Sequence, residues 1–177
     1  MSFDTNGIDQ IKLILRRAAL LPAEMNGELK KMAQKTQKLA KDMAPIEYGD
    51  LKDAIKLQEV AGQGAKGRFA KGLRNYVVYI DNNHSVSEQR QKRNNIETVG
   101  EYAWFVHEYM GWGSHQGAML EDGKPFMPSE KSVEEGQLHG VDAGGRFIER
   151  AGDVVGSQME EELGKVVFKV IEALDIE

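Results

Sequence analysis

The sequence predicts an α+β protein, with a long N-terminal helix and a C-terminal helix packed on a small antiparallel β-sheet. Three patterns carry this expectation. Met25, Leu29, Met32, Thr36, Leu39 and Met43 recur at spacings of 4, 3, 4, 3 and 4, a stripe at helical period. The run "RNYVVYID" at 74–81 concentrates β-branched and aromatic residues, as strands do. Phe147, Ala151, Val154/Val155, Met159, Leu163, Val166/Val167, Val170/Ile171 and Leu174 repeat at helical period again, which predicts a C-terminal helix over 146–174.

The other elements follow in chain order. Residues 1–21 read as an arm with a short amphipathic helix, on which Ile8, Ile11, Leu15 and Ala18/Ala19 share a face. Pro22 suits the first turn of the long helix, 22–43, because its missing N–H is not needed there. Lys30, Lys31, Lys35, Lys38 and Lys41 surround the apolar stripe. Ala44-Pro45 ends the helix, since the residue before proline is pushed out of the α region. Gly49 permits a tight turn into the first strand, and 47–81 holds the strands. The segment "AGQGAKGRFAKGL" (61–73) is a glycine-rich basic connection, and 82–97 is polar and basic, expected as a mobile loop. A helix is expected over 99–110, with Val99, Ala103, Val106 and Met110 on one face and Tyr102, Phe105 and Tyr109 beside it. Two prolines hold 123–129 extended, and 124–145 reads as an insertion with an acidic, weakly patterned stretch. Gly152, Gly156 and Gly164 each cost roughly 1 kcal/mol against alanine in the last helix and suit close packing.

Composition narrows the function. The 177 residues suit one domain. No cysteine is present, so disulfides and thiolate chemistry are excluded. The first residues lack a basic stretch followed by an apolar run, and no apolar run approaches the length of a membrane span. The net charge of −5 is unevenly placed: +6 over 1–95 and −11 over 96–177. That asymmetry suits a head-to-tail oligomer paired through complementary fields. It suits equally two solvated faces of opposite sign.

The densest chemistry is "EYAWFVHEYMGWGSH" (101–115). A zinc-binding His-Glu-x-x-His helix would need its second histidine at 111, and that residue is Gly111. His115 lies beyond two glycines and does not share a helical face with His107. "GQGAKG" (62–67) matches G-x-G-x-x-G, but the strand that follows leaves no room for the helix a dinucleotide site requires. Glu134/Glu135 and Glu160–Glu162 lie in polar surroundings, without the apolar burial that tunes a carboxylate for acid–base work. No serine sits at a strand–turn–helix elbow. The residues therefore predict no enzyme, no metal and no cofactor; a hydrolase using His107 and Glu108 is the weakest alternative. Lys66, Arg68, Lys71, Arg90, Lys92 and Arg93 are candidate contacts to DNA or a protein partner. A small nucleic-acid-binding module using the basic loops 61–74 and 84–95 is the main alternative function.

Two stretches together resemble the small tail-component family of long-tailed bacteriophages, whose members act as tail-completion or neck proteins. The first is "AKDMAPIEYGDLKDAI" (40–55), where Ala44, Pro45, Gly49, Leu51 and Ile55 match. The second is "EYAWFVHEYMGWG" (101–113), where Tyr102, Ala103, Val106, Glu108 and Gly111 match. "KPFMP" (124–128) follows with Pro125, Phe126, Met127 and Pro128. His107 shifts the family's Val-Glu spacing by one, and 124–144 and 82–97 are longer than the pattern requires. The resemblance, extended over most of 22–170, implies a scaffold of the virion assembled in the host cytoplasm. Copies would form a ring, a hexamer, at the head–tail junction. The ring would contact the tail terminator and the head-closure (stopper) protein, with DNA passing through the channel and touched only non-specifically. It implies no membrane partner. Within this reading Tyr102, Trp104, Phe105 and Tyr109 anchor helix to sheet or meet a neighbouring subunit. Glu108 is a helix cap or a cross-subunit partner. The loops 61–73 and 82–97 reach the channel or a partner.

Overall fold

A computed structural model describes residues 21–46, 49–60 and 73–172. The fold is α+β, with long N- and C-terminal helices and a two-stranded antiparallel sheet. The described residues divide into two compact units. Of the described residues, one unit draws on 21–32, 59–60, 73–76 and 156–172, and the other on 33–46, 49–58 and 77–155.

Helix α1 spans Leu21–Met43. Glu24 in its first turn and Lys41 in its last complement the helix dipole. Ala40, Met43 and Ala44 are buried, and the Ala44 amide still bonds Ala40 O at 2.9 Å before Pro45 stops the helix. Gly49 adopts a left-handed φ of 88°, which glycine accepts without strain. It leads into a single helical turn, α2 (Asp50–Ala54), and only then into strand β1 (Ile55–Val60). The direct entry into a strand expected from sequence is thus displaced by one turn. Asp50 accounts for the turn: it is buried and accepts from Ser87 N at 2.9 Å and Ser87 Oγ at 3.3 Å.

Strand β2 (Asn75–Ile80) pairs with β1. It alternates as a half-buried strand should, with Val78 and Ile80 packed on the core and Val77 and Tyr79 exposed. Residues 82–97, expected as a mobile loop, contain helix α3 (Glu88–Asn94). Buried Val86 bonds Glu97 O at 3.1 Å, and Arg90 is buried. Asn95 at φ 53° closes the helix with its amide on Gln91 O, a left-handed cap that asparagine tolerates. Helix α4 (Gly100–Tyr109) lies where the periodicity predicts it, with Val99, Ala103, Val106 and Met110 buried.

The stretch read as an insertion also contains a helix, α5 (Glu130–Leu138), capped by Ser129, whose side chain accepts from the Ser132 amide. Ser132 Oγ accepts from Ile46 N at 2.8 Å and so ties α5 to the chain just after α1. Helix α6 (Phe147–Glu172) follows. It buries Phe147, Ala151 and Val155, and no described residue of the helix beyond Val155 is buried. A Cβ at Gly152, Gly156 or Gly164 would meet nothing within 4 Å, so nothing within the described chain packs closely on these glycines.

The core joins Ala40, Met43, Leu51, Ile55, Val99, Ala103, Val106 and Phe147, among others. All of these belong to the second unit. The first unit is held at its surface by polar contacts. Arg74 donates to Glu59 Oε1 at 2.6 Å, and its amide donates to Asn26 Oδ1 at 2.8 Å. Lys165 bridges Glu161 and Glu162, each at 2.8 Å.

Candidate assembly interface

The segment 101–115 is a packing element with one face exported to solvent. Ala103 and Val106 point into the core, while Trp104, Phe105 and Tyr109 are exposed. Trp104 meets Tyr109 edge to face at 5.3 Å between centroids. Phe105 lies 5.2 Å from Tyr109 and 5.1 Å from Phe126. The rings thus form one continuous aromatic patch, continued in kind by exposed Met119 and Leu120 on the following loop.

The patch borders a groove of about 360 Å³ whose lining includes Pro45, Gly49, Tyr102, Phe105 and Phe126. These residues come from three sequence motifs, and the fold brings them to one place. Leu51 also lines the groove, while Ala44 and Ala103 are buried in the core and act as packing residues. Pro125 is half-buried in an antiparallel bridge to Met119, which holds Phe126 against Phe105. Ile96, Met110 and Met127 also line the groove. Sequence patterning did not mark Ile96 as lining, because it sits in a stretch read as loop.

Glu108 is half-exposed and sits 2.9 Å from Nδ1 of its own neighbour His107. It makes no cap bond; Glu101, which the sequence pattern does not single out, instead braces the turn ahead of the helix. Glu101 Oε1 accepts from Glu97 N and Thr98 N, both at 2.8 Å, and from Thr98 Oγ1 at 3.3 Å. The Thr98 amide, and next the Glu97 amide, hold the Glu101 carboxyl below the ordinary glutamate value. A depressed folded-state pKa means the contribution of these bonds is complete above the unfolded value and is lost as the pH falls through the folded one. The Thr98 amide proton, followed by NMR, should therefore titrate with a midpoint below the ordinary glutamate value. Glu101→Gln should abolish the titration. A midpoint at or above the ordinary value would refute this bracing role.

His107 turns its ring edge to Phe147 at 4.9 Å, as a packed structural histidine. Among the described residues, no group of three or more His, Asp or Glu could hold a metal ion. Trp112 and His115 stack at 4.8 Å, and the Arg150 guanidinium lies 5.1 Å from the Trp112 ring. Arg150 also donates to Gly145 O at 3.0 Å and Asp142 O at 2.9 Å, which pins the turn before α6.

The basic candidates are less available than their sequence suggested. Arg90 is buried, with its guanidinium 3.9 Å above the Tyr102 ring. It is therefore part of the packing behind α4 and no surface contact for phosphate. The reason is its place on α3: within Glu88–Asn94 it is the residue turned to the core side, where the Tyr102 ring meets it. Lys92 is exposed and pairs with Glu88 at 3.4 Å, and Arg93 is exposed on α3. Lys66, Arg68 and Lys71 lie outside the described residues, as does the predicted amphipathic stretch before Leu21.

A family model described as "Bacteriophage HK97-gp10, putative tail-component" matches residues 15–107, more than half of the chain. The chain belongs to the HK97-gp10 family of bacteriophage tail components. The tail component is thus a structural protein of the virion, from a family that is generally non-enzymatic. The match takes in α1, the sheet, α3 and most of α4. It ends at His107, so the Pro125–Pro128 motif and α6 lie beyond it. No curated protein and no solved structure matches the chain. No described helix of the tail component is long and apolar enough to cross a membrane.

Proposed function

We propose that this tail component completes the tail at the head–tail junction, as a neck protein whose copies form a ring of six between the tail terminator and the head-closure protein. The exposed aromatic patch on α4 carries the reading. Trp104, Phe105 and Tyr109 are each at least 40% exposed, and clustered aromatic side chains of this kind are the usual anchors of protein interfaces. Their helix rests on a core that buries Val99, Ala103, Val106 and Met110, so the patch is presented by a rigid support. A protein whose work is to be held between neighbours needs such a surface and needs no catalytic site.

Deleting the gene from the viral or prophage genome and imaging the induced lysate by electron microscopy tests the proposal. DNA-filled heads beside unattached full-length tails are expected. Joined, intact particles would overturn the junction role.

A further inference from the structure

The exposed face of α4 and the lysine side of α1 match in charge and length, and we propose that they meet across neighbouring copies, α4 of one on α1 of the next. This rests on the ring reading above and names the contact that would build the ring.

On α4, Glu101 and Glu108 are seven residues apart, close to two full turns, so they share one side about 10 Å long. Trp104 and Phe105 lie between them along the helix, both exposed. The helix GEYAWFVHEY contains no lysine or arginine; its one histidine, His107, meets Glu108 through Nδ1 and turns its ring edge to Phe147, so the charges this side presents are the two carboxylates. On α1, Lys35 and Lys38 are exposed and Lys41 is half-buried. Steps of three residues place them on one side over about 9 Å. The acid within reach in sequence, Asp42, is buried, and no other Asp or Glu occurs between Leu29 and Lys41. The two faces are thus of opposite sign and nearly equal length. Aromatic rings set between carboxylates also suit lysine ammonium groups, which gain from the ring faces as well as from the charges.

Both helices turn their other sides into the same core, where Leu39, Ala40 and Met43 join Ala103, Val106 and Met110. Each copy therefore presents both faces outward. A contact between unlike faces is heterologous, and repeating it head to tail closes a ring when the rotation allows. The competing arrangement, α4 against α4 about a twofold axis, would set Glu101 and Glu108 against their own kind, and like charges facing one another oppose association. The sign difference between the two halves of the chain, +6 over 1–95 and −11 over 96–177, runs in the same direction as the proposed pairing.

Charge exchange tests the contact in assembled virus. Glu108→Lys and Lys38→Glu should each lower the yield of joined particles by about tenfold or more, because each sets like charges together. The double variant should restore most of the yield. The chain has no cysteine, so Glu108→Cys with Lys38→Cys places two unique thiols and keeps the Trp104 ring. A short bis-maleimide should link copies carrying both into a ladder within purified particles, and neither single cysteine should do so. Joined particles that carry both cysteines and give no ladder would overturn the pairing. So would a double charge variant no better than the singles, given that all purify with the parent circular dichroism. Particles that join without the gene would instead remove the junction role itself, which separates the two failures.

Discussion

Alanine at Trp104 should abolish the joining of heads to tails while leaving the unfolding free energy within about 1 kcal/mol of the parent. The two halves of this result have different causes. Trp104 is 63% exposed, so truncating it returns little apolar surface to water. Among the described residues its ring contact is the edge-to-face approach to Tyr109 at 5.3 Å, and exposed pairs of this type contribute at the low end of their range. At an interface the same side chain changes character. Once a neighbour covers it, the whole ring is desolvated, and a central tryptophan commonly accounts for about 2 kcal/mol or more of association. In a closed ring that loss is repeated at every contact. Urea denaturation of the purified protein and electron microscopy of induced lysates read the two halves separately. Normal infectious titre from Trp104→Ala would show that the exposed patch is not an assembly surface.

Alanine at Phe147 should do the reverse. Phe147 is fully buried and is the largest side chain so placed in the described core. It opens α6, stands 4.9 Å from the His107 ring and belongs to the same cluster as Met43, Leu51 and Val106. Removing a buried phenylalanine costs about 3–5 kcal/mol, the transfer term plus the cavity that rigid neighbours leave behind. The neighbours cannot close the gap cheaply. A Cβ at Gly145 would fall against Met110 O, and the Arg146 amide is held to His107 O at 2.6 Å. The start of α6 is therefore clamped to the end of α4. Denaturant unfolding monitored at the two tryptophans reads the effect; a loss under about 1 kcal/mol would mean the site relaxes as surface positions do. The comparison with Trp104 is the useful one. One aromatic substitution disables folding, the other assembly, and exposure alone separates them.

The same division marks what could be read in the chain before folding. Helical period alone locates α1, α4 and α6, because each buries one side and repeats its apolar residues every three or four positions. Alternation and β-branching locate β2. The resemblance carried by Ala44-Pro45, Gly49 and the Tyr102–Val106 stretch led to the tail-component family, since those residues set a helix stop, a left-handed turn and a packed helix that neighbouring sequence largely determines. Helices α3 and α5 escaped that reading. Their anchors are polar and distant: Asp50 on Ser87, thirty-seven residues away, and Ile46 on Ser132, eighty-six away. Buried hydrogen bonds between such positions leave no periodic trace. Arg90 is the sharpest instance, a basic residue whose burial depends on a tyrosine ring that only the fold brings above it. The aromatic patch was also undecided in sequence. Spacing showed that Tyr102, Trp104, Phe105 and Tyr109 share a helix, but which rings line the groove and which face water depends on what α4 packs against. Local spacing determines which side of a helix is apolar. Only the tertiary structure, through contacts between residues far apart in the chain, decides how much of that side is covered and how much is left for a neighbour.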